Sequence, residues 1–185
     1  MRIPLVLLTT LLAGDAFAHT RTITRALLFE AWDDGRLHVA CSVEVPEGDA
    51  KRAWLTLADE NRDGNLDPTE QDNLRGLLVQ RGLFGLILRV ETATVSLEKP
   101  EAKLRADPKK GPIELMLLGT VSIGPRAVHV SVSTAATGDT LDLVVLPGAR
   151  AISKTSRGKL GRGFKTKLGD SDVVRWSYGP LEGKG

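Results

Sequence analysis

Two periodicities share this chain: a strand-like alternation at both ends and a helical repeat between them. Thr22 to Trp32 and Leu37 to Val45 read as strands. In the second, Leu37, Val39, Cys41, Val43 and Val45 fall on one face. Asp33-Asp34-Gly35 between them carries the Asp-Gly signal of a tight turn, so residues 20 to 46 predict a β-hairpin ended by Pro46. The period then lengthens. Ala50, Ala53, Trp54, Leu57 and Ala58 recur at helical spacing behind Asp49, a suitable N-cap. Pro68 to Arg81 places Leu74, Leu77 and Leu78 on one face, with Gly82 as the expected stop. Alternation returns after Leu83. Candidate strands are Leu86 to Leu97, Ile113 to Ile123, Arg126 to Thr134, Leu141 to Leu146 and Asp172 to Tyr178.

In the third of these, Val128, Val130 and Val132 alternate with His129, Ser131 and Ser133, one face buried and one wet. Gly124-Pro125 and Thr137-Gly138-Asp139 read as turns. Residues 98 to 112 are rich in charge and proline and read as a connection. The fold class this predicts is α+β: one helix-loop-helix inserted in a mainly antiparallel β domain. A single domain spans 19–179, with 180–185 a loose tail.

The stretch joining the two helices is Asp59-Glu60-Asn61-Arg62-Asp63-Gly64-Asn65-Leu66-Asp67-Pro68-Thr69-Glu70. Counted from Asp59, it has Asp at positions 1, 5 and 9, Asn at 3, Gly at 6 and Glu at 12. With its flanking helices, about residues 49–82, this segment resembles the EF-hand family of calcium-binding loops. The resemblance implies side-chain oxygens from Asp59, Asn61 and Asp63, a backbone carbonyl from Asn65, and Asp67 binding directly or through water. Glu70 would close the site with both carboxylate oxygens. Gly64 allows the sharp turn, and Leu66 ties the loop to its surroundings. The four acidic ligand candidates, Asp59, Asp63, Asp67 and Glu70, repel one another, so a bound cation and local folding should be coupled. The simpler alternative is a turn that caps a helix, with Asp67 as N-cap, Pro68 first in the helix and Glu70 completing a capping box. It accounts for Asp67 to Glu70 and nothing upstream. No second such loop occurs. An EF-hand's usual pairing partner could be the β-sheet, a second molecule or nothing.

Composition narrows the function classes. Met1 to Ala18 reads as a bacterial-type secretory signal peptide: Arg2, an apolar run from Ile3 to Leu12, then Ala16-Phe17-Ala18 as the cleavage site. The run is too short to span a bilayer, and no transmembrane helix follows. The expected location is secreted or periplasmic. Net charge is +2 with or without the leader, which does not argue for nucleic acid. Cys41 is the only cysteine, so no internal disulfide forms. A buried thiol is the first reading, with intermolecular pairing or metal ligation the others. Arg150 to Lys167 is cationic and glycine-rich, expected to be either a solvated loop or the contact for an acidic protein or anionic envelope partner. No zinc spacing, nucleophile elbow or phosphate loop appears, and the chain reads as a non-enzyme. If the leader is cut after Ala18, His19 presents an amine and an imidazole together. With His38 or His129 it could take copper.

The function this supports is calcium binding with a stabilising role. An envelope adaptor that docks a partner through its strands is the alternative, with the loop then only a turn.

Overall fold

The computed structural model describes residues 23–107, 109–135, 141–157 and 161–181. The leader, His19, the Thr137-Gly138-Asp139 turn and residues 182–185 of the tail lie outside the described residues. Strand β1 (Thr24–Ala31) and strand β2 (Arg36–Val45) form the expected hairpin, with Ala31 opposite Leu37. Gly35 takes a positive φ of 76° at its turn. Helix α1 (Asp49–Ala58) and helix α2 (Pro68–Leu83) follow. The chain then returns to strands: β3 (Leu86–Val90), β4 (Ala93–Thr94), β5 (Glu98–Asp107), β6 (Lys110–Ser122), β7 (Val128–Thr134), β8 (Leu141–Leu146), β9 (Ile152–Thr155), β10 (Phe164–Leu168) and β11 (Val173–Tyr178).

These strands build two sheets. One has six strands in the order β10-β8-β1-β2-β6-β5, antiparallel except that β1 and β8 run parallel. The other has five, β4-β3-β7-β11-β9, all antiparallel. Their inner faces meet at Trp176, whose ring lies 5.3 Å from Phe29 and 6.2 Å from Phe164 of the opposite sheet. The buried apolar side chains form one contiguous cluster that includes Trp54, Leu74 and Leu78 of the helices.

The expected α+β class is wrong. Among the described residues strands make up 51 % and helix 17 %, so the fold is mainly β, two sheets with two helices attached, and not α+β with an inserted helix-loop-helix. Two stretches read as connections account for much of the error. Residues 98–107 are β5 and 110–112 the start of β6, paired from Glu98 opposite Thr120 to Asp107 opposite Lys110. Their charges mask a strand because β5 is an edge strand with an exposed face, where lysine and glutamate guard against unwanted pairing. The basic stretch 150–167 contains β9 and β10, and its first cation is internal. Arg150 is 1 % exposed and donates to the carbonyls of Arg126 (3.0 Å) and Gly124. Burial lowers its pKa. Leu86 to Leu97 breaks at Glu91, which has positive φ, into β3 and β4. Asp49 is the first helical residue and Gly48 the cap. Leu57 is exposed, and Lys51 is buried in its place, donating to the Gly111 carbonyl at 2.6 Å. Gly82 lies inside α2 and does not end it.

Where alternation is clean the strand faces match. Leu37, Val39, Cys41, Val43 and Val45 are all buried, as are Val128, Val130 and Val132. Burial among apolar neighbours pushes the Cys41 thiol up to about 11, with Arg25 opposing. Cys41 should therefore resist alkylation in the native state at pH 8 and react fully once unfolded, as a thiol titration with and without denaturant would show. The sign on stability follows. The folded thiol holds its proton where the unfolded one has released it, so stability is intact below pH 9 and falls as pH rises from 9 through 11.

Candidate metal centre

The loop begins where α1 stops and ends inside the first turn of α2. Asp59 caps α1, its amide donating to Leu55 at 2.9 Å. Its carboxylate turns forward: Oδ1 accepts from the Asp63 amide (3.2 Å) and Oδ2 from the Gly64 amide (3.0 Å). Asn61 Oδ1 accepts from the Asp63 amide at 2.8 Å, and Asp63 Oδ1 from the Asn65 amide at 2.7 Å. Each is an Asx turn, the local bond these side chains favour over helix. Arg62 and Gly64 supply the reversals with φ of 61° and 79°. A Cβ on Gly64 would meet nothing within 4 Å, so glycine is there for its backbone freedom, not for space.

The far end is a capping box. Asp67 Oδ1 accepts from the Glu70 amide at 2.9 Å, and Glu70 Oε2 accepts from the Asp67 amide at 3.0 Å. Glu70 does more than a capping residue needs to. Its Oε1 also accepts from the amides of Glu60 (2.9 Å) and Asn61 (3.1 Å), so one carboxylate ties the first residues of the loop to the last. It is only 3 % exposed. Leu66 packs against the core, and Gln71 Nε2 donates to its carbonyl at 3.0 Å. Asn73 Nδ2 donates to Glu60 Oε1 at 2.8 Å.

This network explains how the loop holds the carboxylates of Asp59, Asp63, Asp67 and Glu70 together. No Lys or Arg among the described residues pairs with Asp59, Asp63, Asp67 or Glu70. Backbone N–H dipoles offset the repulsion instead. The donor chemistry fits a hard dication, being oxygen throughout. The geometry has the side chains turned onto the loop's own amides. Among the described residues, no three His, Cys, Asp or Glu side chains stand together as a metal-holding group.

Two features escaped the sequence reading. Arg25, 4 % exposed, reaches from β1 to donate to the carbonyl of Phe84 at 2.9 Å and to that of Gly82 at 3.4 Å, closing the C-terminal end of α2. Its signal was legible: a cation on the same strand parity as Leu27, Phe29 and Ala31. The Glu70 bonds to Glu60 and Asn61 had no signal, because sequence spacing does not show which amides a carboxylate meets. Of the copper candidates, His19 lies outside the described residues, and the other two sit on different sheets. His38 stacks on Trp32 in the six-stranded sheet, while His129 Nδ1 lies 2.6 Å from Ser177 Oγ in the other.

Comparison of the chain with protein-family models, curated proteins and solved structures found no match. Among the described residues no helix is long and apolar enough to cross a membrane.

Proposed function

We propose that this protein binds one Ca²⁺ through the loop from Asp59 to Glu70, and that the ion stabilises the junction of α1 and α2 in an extracytoplasmic setting. Asp59, Asn61, Asp63, Asn65, Asp67 and Glu70 would hold it, in the roles the loop pattern gives them. One observation carries the reading. A buried Glu70 already joins residues 60, 61 and 67, in a loop where no Lys or Arg among the described residues pairs with Asp59, Asp63, Asp67 or Glu70. A simple capping turn explains the bond to residue 67 and leaves the other two without a purpose. The cation supplies charge neutralisation. The chain supplies the closure that brings both ends of the loop to it. The setting is the one that residues 1–18 would address, where millimolar calcium suits an affinity of about 10⁻⁴ to 10⁻³ M.

Calorimetric titration of the protein with Ca²⁺ and Mg²⁺ tests this. One-site binding of Ca²⁺ in that range, with Mg²⁺ weaker, is expected. No heat at millimolar Ca²⁺ overturns it.

An adaptor role is kept as a second reading on a separate observation. Met116 and Leu118 stand 42 % and 41 % exposed on neighbouring outward positions of β6, an apolar spot for a partner. Pull-down that survives a calcium chelator would favour it. Arg150 is no part of any such surface, being internal.

A further inference from the structure

The inward face of β3 breaks the pattern of its neighbour. On β7 the inward row Val128, Val130 and Val132 is buried to 5 %, 1 % and 1 % exposure. On β3 the corresponding row, Leu86, Leu88 and Val90, has the same apolar character and register, with Leu88 opposite Val132, yet stays only half-buried. What lies before it is a cavity of about 320 Å³. Its floor is Leu27, Phe29, Val39 and Leu117 of the six-stranded sheet and Val132 of the other. Val79 and Leu83 of α2 form one wall, and the segment from Val95 to Pro100 forms the rim. That rim lies flush on β6 because residue 119 is glycine. A Cβ there would come within 2.9 Å of Leu97 Cβ.

Among the described residues, no charged side chain lines this cavity. Ser96, at the exposed rim, is its one polar side chain. The chemistry it can recognise is therefore apolar and unbranched by charge, and it has room for about ten groups of the roughly 30 Å³ that one water occupies in the liquid. Pockets that take small apolar ligands have this size and lining. A row of aliphatic side chains that two sheets and a helix surround but do not cover is completed by a chain of methylenes. We infer that the cavity binds one single-chain aliphatic ligand of about ten carbons, its polar end at Ser96 and in water. The site is separate from the calcium loop, and the inference does not rest on it.

Displacement of cis-parinaric acid from the full-length protein by dodecanoate and by dodecanol tests it. Saturable one-to-one displacement is expected, with the two competitors within a few-fold of each other because no cation lines the cavity. Val95→Phe and Val79→Phe fill the space from opposite walls, and each should weaken displacement at least ten-fold while keeping a cooperative melt. Ile87→Phe, on the outward face of β3, should bind as wild type. Methyl NMR of the wild-type protein needs no variant. Dodecanoate should shift Leu86, Leu88 and Val95 and leave the calcium-loop residue Leu66 in place. Absence of saturable binding, wild-type affinity in a folded Val95→Phe or Val79→Phe protein, or shifts confined to other residues would each overturn the inference.

Discussion

Trp176→Ala lowers the stability of this protein by about 3 to 5 kcal/mol, the range seen when a large aromatic is removed from a core. The site explains why the value belongs at the upper end. Trp176 is 1 % exposed and touches rings on both sheets: Phe29 at 5.3 Å and Phe164 at 6.2 Å across the interface, Tyr178 at 6.4 Å along its own strand. The rings are tilted or edge-on to one another, the arrangements in which aromatic pairs attract beyond simple burial. Alanine leaves a void bounded by regular strands, which cannot collapse to fill it without breaking hydrogen bonds to β7 and β9. Since whole domains are stable by only about 5 to 15 kcal/mol, this single change consumes a large share. Chemical denaturation of the two proteins, compared at equal slope, checks the figure.

If the loop holds calcium as proposed, Glu70→Gln should abolish the stabilisation by the ion while the protein still folds. Wild-type protein in Ca²⁺ at one hundred times its dissociation constant gains about 2.7 kcal/mol. For a chain of this size that is a rise in melting temperature of about 5 to 10 °C. The amide keeps an oxygen to accept from Asp67 or Glu60 but loses the charge and the second carboxylate oxygen that would close on the ion. In chelator the variant should melt below the wild type, because the new NH₂ faces backbone donors at one of the two former oxygen positions, and it should show no rise with calcium. A rise of equal size in both proteins, read by thermal melts in chelator and in millimolar calcium, would remove Glu70 from the site.

Much of this was legible because each signal had one physical reading. Asp33-Asp34-Gly35 flanked by strand-like runs permits a hairpin and little else. The alternation of Val128, Val130 and Val132 could only put one face inward. Asp67, Pro68 and Glu70 had the spacing of a capping box, and that box is in place at the start of α2. The errors came where one composition serves two structures. Glu98 to Asp107 carries the lysine and glutamate of a solvated loop, and an edge strand wants the same residues. Arg150 looked like the start of a cationic surface, yet two backbone carbonyls hold it inside. Trp54 and Leu57 shared a helical face in projection, but Lys51 is buried, held by the Gly111 carbonyl, and Leu57 is exposed. Those outcomes depend on neighbours distant in sequence, which periodicity does not encode.

The two ends of α2 are fixed by unrelated contacts. Glu70 is laced into the loop. At the other end Gly82 sits so close to β2 that a Cβ there would come within 2.5 Å of Val43, while Arg25 donates to the carbonyls of Gly82 and Phe84. Inserting or deleting one residue between those anchors would swing one end about 100° against the other. Either the carboxylate would leave its loop or the glycine would leave its groove. The span from 70 to 82 is thus frozen in length, free to change its exposed letters but not their number.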